Sequence, residues 1–179
     1  MRLAIAGFLA GACAVSPALA ALPTGTPAPE FVAPATLGGT GFTFNLADAL
    51  KKGPVVVYFY PKAFTSGCTQ EAHDFASAMP QYNALHATVI GVSMDGIDKL
   101  KKFSTQECSS AFPLASDASG KISHEYDAVL PVFGVSARTS YVIAPTGQVI
   151  YAYNAMSPDA HVANTIKAVK EYEAAHPGK

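Results

Sequence analysis

The sequence predicts an α/β domain, a mixed central sheet flanked by helices with an N-terminal hairpin extension. Three observations predict it. Val55-Val56-Val57-Tyr58-Phe59-Tyr60 and Ala87 to Met94 are uninterrupted apolar runs, the pattern of strands buried on both faces. Each is followed by a segment with helical spacing. Two extended runs around Pro145-Thr146-Gly147 then read as an antiparallel pair, so parallel and antiparallel strands share one sheet.

The chain has 179 residues, half of them apolar, and a formal net charge of -1. That suits one ordinary domain with a real core. No basic patch or acidic tail stands out, which argues against nucleic acid or an anionic membrane surface as the main partner.

Residues 1–20 have the three-part layout of a secretory signal peptide: Arg2, the apolar run Leu3 to Val15, and the small-residue site Ala18-Leu19-Ala20 before Ala21. The run is short for a bilayer span, so an uncleaved anchor is the weaker reading and no stable membrane association is expected. Export to a periplasm follows for a Gram-negative cell. Cleavage would remove Cys13 and leave Cys68 and Cys108, which read first as one disulfide, structural or catalytic.

Residues 21–34, with Pro23, Pro27, Pro29 and Pro34, read as an extended leader, and 35–179 as the domain. Leu37 to Phe42 reads as a hairpin turn. Leu46 to Leu50 suits a short helix capped by Asn45. After the first buried strand, Pro61 stops the run, and Cys68 to about Met79 reads as a helix. Gly96 to about Gln106 is a second helix, with Ile97, Leu100 and Phe103 on one face. Phe112 to Ala115 is extended, and Ser119 to about Tyr126 helical. Strands at Thr139–Ala144 and Gln148–Tyr153 precede a last helix from about Pro158 to Ala175, with Ser157 as its cap. A thioredoxin-like layout fits this order, as do other small α/β folds.

Cys68 falls between the first buried strand and the first long helix, where ligands bind in open α/β sheets. A helix start favours an anion, and a thiolate is one. Making a thiol of ordinary pKa mostly ionised at neutral pH takes roughly 2.7 kcal/mol for a two-unit shift. A helix end supplies about 1 to 2 kcal/mol. A further donor or cation is needed. Thr65 can present a hydroxyl, and Arg138, at the start of a strand, is the candidate cation.

Pro61, Thr65 and Cys68 reproduce a Pro-x-x-x-Thr-x-x-Cys signature, and the chain here resembles the peroxiredoxins. Phe59 to Lys62, Gly67 to Ala72, Phe112 to Asp117 and Arg138 to Ile143 resemble the bacterioferritin-comigratory (Q-type) branch, and the likeness runs from about Pro27 onward. The resemblance implies a thioredoxin-like fold and a thiol peroxidase. The Cys68 thiolate would attack hydrogen peroxide or an organic hydroperoxide and become a sulfenic acid. Thr65 and Arg138 would hold the peroxide oxygens, Pro61 would shield the site, and Glu71 would orient the arginine. In many relatives a resolving cysteine lies five residues after the first; here that residue is His73, which leaves Cys108 as the candidate. The partners implied are a hydroperoxide and a thioredoxin-like or other thiol reductant, and intramolecular resolution suits a monomer. No cofactor or metal is expected, since His86, His124, His161 and His176 show no mutual metal spacing.

Rival readings remain at this point. A disulfide oxidoreductase would want Cys-x-x-Cys, but Glu71 takes the second position; a copper carrier would want a cysteine where Ala72 stands. A binding domain with a structural Cys68–Cys108 bond and a peroxide sensor stay open.

Overall fold

The computed structural model describes residues 21–177. The signal-peptide reading of residues 1–20 lies outside them. The central sheet has seven strands: β1 (Val32–Leu37), β2 (Thr40–Asn45), β3 (Val55–Phe59), β4 (Thr88–Ser93), β5 (Leu114–Ser116), β8 (Thr139–Ile143) and β9 (Val149–Asn154). Their order is β2-β1-β5-β4-β3-β8-β9. Strands β3, β4 and β5 are parallel; β8, β9, β1 and β2 join antiparallel. This is the mixed sheet the sequence predicts, in a thioredoxin-like arrangement.

Among the described residues five helices flank the sheet: α1 (Leu46–Leu50), α2 (Ser66–Ala84), α3 (Ile97–Gln106), α4 (Lys121–Glu125) and α5 (His161–Ala175). Strand β3 shows why there are two layers. All five of its residues are buried, and alternate side chains point to opposite faces. Val56 and Tyr58 join Phe75 of α2, Leu100 and Phe103 of α3, and Ile166 and Val169 of α5. Val55, Val57 and Phe59 join Leu46 and Leu50 of α1, Ile122 of α4, and Phe31.

The N-terminal hairpin turns through Gly38 and Gly39, both with positive φ, the two-residue turn that matches strand twist. Its β1 pairs with β5, so the expected extension is the edge of the sheet itself. The 21–34 leader is corrected accordingly. β1 begins at Val32, and Phe31 and Ala33 are in the core. Upstream, Gly25 and Ala28 donate to the Val149 and Gly147 carbonyls, and Val149 donates back to Thr26. Proline removes donors but leaves carbonyls and a pre-extended backbone, so the segment lies against β9.

Two helix ends differ from expectation. α2 runs through Pro80 to Ala84. An interior proline costs about 3 kcal/mol, and tertiary packing of the last turn offsets it. Tyr82 there is fully buried, stacks on Phe75, and its hydroxyl lies 2.7 Å from Thr165 Oγ1 of α5. α5 starts at His161, after the expected Pro158, because Ser157 Oγ donates to Asp159 Oδ2 at 2.7 Å and caps nothing. A hairpin of two-residue strands, β6 (Val129–Leu130) and β7 (Val135–Ser136), is too short to leave a periodic signal.

Phe75 joins these parts: it stacks on Tyr58 with centroids 4.2 Å apart and touches Tyr82 and Phe112. Phe75→Ala should destabilise the protein by about 3–5 kcal/mol. Urea unfolding checks this as a lower midpoint at unchanged slope.

Candidate active site

The site is built by the antiparallel pairing of β8 with β3. Their register puts Phe59, the last residue of β3, opposite Thr139, the first of β8. Arg138 therefore emerges where β3 passes into the loop that ends in Cys68. β9 brings Asn154 opposite Thr139, so Ala155 and Met156 lie on the other side of the arginine. The pairing of β3 with β4 brings up Asp95, whose Oδ2 accepts the Ala63 N–H at 2.7 Å and pins the loop.

Cys68 is the third residue of α2, and it is buried. Arg138 Nη2 lies 3.5 Å from its Sγ. Nη1 contacts Glu71 Oε2, and Nε donates to the Met156 carbonyl at 2.9 Å. The guanidinium thus meets α2 twice and the β9–α5 loop once. Gly67 makes room for it: a Cβ there would sit 3.1 Å from Arg138 Nη2.

Charge decides what this can do. Two unit charges about 4 Å apart interact by about 4 kcal/mol at an effective dielectric of about 20. Burial pushes the Glu71 carboxyl up to about 8 against the pull of Arg138. Its Oε1 has no hydrogen-bond partner, which agrees with that direction. Burial alone would lower Arg138, but Glu71 and Cys68 outweigh it and hold the arginine above its usual value.

The structure brings Cys68, Arg138 and Glu71 together and places Thr65 and Pro61 in the adjoining loop. Thr65 is the N-cap residue of α2; its hydroxyl donates to the Lys62 carbonyl at 2.9 Å and caps no helix N–H. Pro61 follows β3 and is half-buried. Phe64, with φ of 67°, packs against Phe103 at the loop's crest. Cys108 lies just after α3, fully buried, and its thiol is unlinked to that of Cys68. Burial pushes it up to about 12. His73 is half-exposed, 3.0 Å from Glu107 Oε2.

Two neighbours escaped the sequence reading. Asp95 sits in a loop with no motif; its only signal was an acidic residue just past a buried strand. His161, read as one of several unrelated histidines, lies fully buried with Nδ1 3.8 Å from Glu71 Oε1. Among the described residues, no group of three His, Cys, Asp or Glu side chains is arranged to hold a metal, and no helix is long and apolar enough to cross a membrane.

A buried cysteine at a helix start, under an arginine, on a thioredoxin-like sheet, defines a thiol-based redox enzyme. Comparison with known proteins gives the class its family. Residues 24–152 match the AhpC/TSA family model. The chain is 32% identical over 176 residues to chloroplastic peroxiredoxin Q of Oryza sativa subsp. japonica, covering 92% of this chain and 81% of that one. It is 31% identical to peroxiredoxin Bcp of Xanthomonas campestris pv. campestris, covering 82% and 93%. Among solved structures it resembles peroxidoxin BcpB of Mycobacterium tuberculosis, with TM-score 0.75, 30% identity and coverage of 83% and 96%. Peroxiredoxin Q of Xanthomonas campestris gives TM-score 0.69 at 30% identity, over 78% of this chain and 90% of that one. The chain belongs to the AhpC/TSA family and is a thiol peroxidase with the peroxiredoxin fold.

Because the Glu71 carboxyl rises on folding, the folded state takes up a proton. Stability from this group is complete below the unfolded value of 4.5 and is lost as pH climbs through about 8. Urea midpoints compared from about pH 5 to about pH 8 should fall more in the parent protein than in Glu71→Gln, which cannot titrate.

Proposed function

We propose that the enzyme reduces hydrogen peroxide and organic hydroperoxides through Cys68. The carrying observation is the 3.5 Å approach of Arg138 Nη2 to Cys68 Sγ at the start of α2. The thiolate attacks the terminal peroxide oxygen. An S–O bond forms and the O–O bond breaks. The leaving oxygen departs with the electron pair as alkoxide or hydroxide and takes a proton from water. Sulfur is oxidised to sulfenic acid as the peroxide is reduced. Arg138 stabilises the charge that develops on the oxygens. Thr65 has its proton committed to the Lys62 carbonyl, so its lone pairs remain to accept the hydroperoxide O–H. Glu71 holds Arg138, and Pro61 shields the thiol.

Cys108 then attacks the sulfenic sulfur, an S–S bond forms, and water leaves. A thioredoxin-like or other dithiol reduces that disulfide and is itself oxidised. Resolution needs Cα atoms within about 7 Å, and the two buried thiols, unlinked here, meet through a local rearrangement of their segments in this reading. Ser109 and Ser110, beside Cys108, both hold positive φ, at 50° and 55°. A non-glycine residue there carries a cost that rearrangement relieves. The chain acts after export, a reading that rests on Arg2, the Leu3 to Val15 run and Ala18-Leu19-Ala20.

Reduced protein mixed with stoichiometric hydrogen peroxide tests the cycle. Cys68→Ser should abolish rapid peroxide loss, and Arg138→Met should slow it by about 10²–10³-fold, the scale of losing one charge-stabilising donor. Cys108→Ser should keep the first fast step, with no Cys68–Cys108 peptide on mapping. Loss no faster than with a free thiol would sink the reading. The exported protein, purified from a secreting host and sequenced from its N-terminus, should begin at Ala21; an intact Met1 would remove the export reading.

A further inference from the structure

Behind the Cys68–Arg138 pair sits a histidine that the proposed cycle does not use. His161 opens α5, and its ring is held at both nitrogens. Nε2 lies 3.0 Å from the Ala155 carbonyl oxygen, and Nδ1 lies 2.8 Å from Ser140 Oγ. A carbonyl only accepts, so Nε2 carries the proton and Nδ1 accepts from the serine hydroxyl. Burial, joined by the Arg138 charge, pulls His161 below the ordinary histidine range against the bond to Ala155, which keeps the ring neutral.

Both hydrogen-bond partners of the His161 ring lead to Arg138. The Ala155 N–H donates to the Arg138 carbonyl at 3.2 Å, and the next residue, Met156, accepts Arg138 Nε. Ser140 is in β8, two residues past the arginine. On the far side, Nδ1 faces Glu71 Oε1 at 3.8 Å, the carboxyl oxygen that has no hydrogen-bond partner. The other Glu71 oxygen contacts Nη1. From β9, Tyr153 makes a T-shaped contact with the imidazole, centroids 4.8 Å apart.

We infer that His161 is a positioning residue for the peroxidase reaction: it fixes the Ala155–Met156 segment, whose Met156 carbonyl accepts from Arg138 Nε, and so sets the aim of Arg138 at Cys68. This rests on the reading of Arg138 as the activating cation. A guanidinium is a rigid plane, so its three contacts move together. Release of the Met156 carbonyl rotates Nη2 away from the sulfur. Sequence separation hides the relation, since the histidine meets its partners only through α5 docking on the sheet.

The test measures the rate of reaction of reduced protein with hydrogen peroxide in the parent, His161→Gln, His161→Asn, Arg138→Met and Tyr82→Phe. Glutamine places an amide N–H near the position of Nε2 and retains the bond to Ala155; asparagine does not reach it. His161→Gln is expected to keep most of the parent rate, and His161→Asn to lose about tenfold to a hundredfold, the scale of an ångström-sized misplacement. Tyr82→Phe removes a different α2–α5 hydrogen bond, to Thr165, and is expected to keep the parent rate. A parent-like rate in His161→Asn overturns the inference. So do equal losses in the two His161 variants, or a matching loss in Tyr82→Phe, which would mean that loosening α5 is enough. Should His161→Asn not fold, Ser140→Ala, which removes only the bond to Nδ1, is expected to lower the rate, and no change there overturns the inference. A parent-like rate in Arg138→Met sinks the underlying reading of the arginine instead.

Discussion

Burying Arg138 is the constraint around which the site is arranged. A guanidinium taken out of water costs several kcal/mol unless its donors are met. Here they are met from three directions: Glu71 and Cys68 on α2, and the Met156 carbonyl on the β9–α5 loop. Each partner depends on a feature of the fold. The β3–β8 register delivers the arginine to the end of β3, the β8–β9 register delivers Met156, and the bare Cα of Gly67 lets the guanidinium reach the helix start. A lysine, as a single point charge, does not span three such contacts.

The two cysteines sit in contrasting environments. Both are buried in the same apolar layer. Cys68 sits at a helix start against a cation. Cys108 sits among Tyr60, Phe103 and Phe112, where burial raises its thiol. In the proposed cycle this keeps the second thiol protonated while the first reacts, and it becomes nucleophilic only when rearrangement exposes it. The same layer carries a cost: the hydroxyls of Tyr58 and Tyr60 are buried without partners. Their rings stack with Phe75 and Phe103, which offsets it.

Much of the fold was legible because its signals are local. Buried strands β3 and β4 announce themselves as apolar runs, and Gly38-Gly39 announces a hairpin. What failed was local as well. Pro80 and the prolines of 21–34 are strong punctuation, and each was overruled by contacts distant in sequence: Tyr82 with Thr165, and Thr26 to Ala28 with Gly147 to Val149. The residues around Cys68 could be listed from their motif, but not their geometry. The Thr65 hydroxyl turns to Lys62, and Asp95 and His161 enter only through the tertiary fold.

Glu71 shows why geometry matters beyond the list. An exposed carboxylate beside an arginine would be an ordinary surface ion pair, worth about 1 kcal/mol or less. Burial shifts that balance. With one oxygen on Nη1 and the other unpartnered, burial pushes the carboxyl up to about 8 against the pull of Arg138. Through Nη1 Glu71 positions the guanidinium, whose Nη2 lies 3.5 Å from the sulfur. The neutral His161 behind it adds no competing charge. The same low-dielectric wall that makes the arginine costly to bury also strengthens each contact it makes at the start of α2.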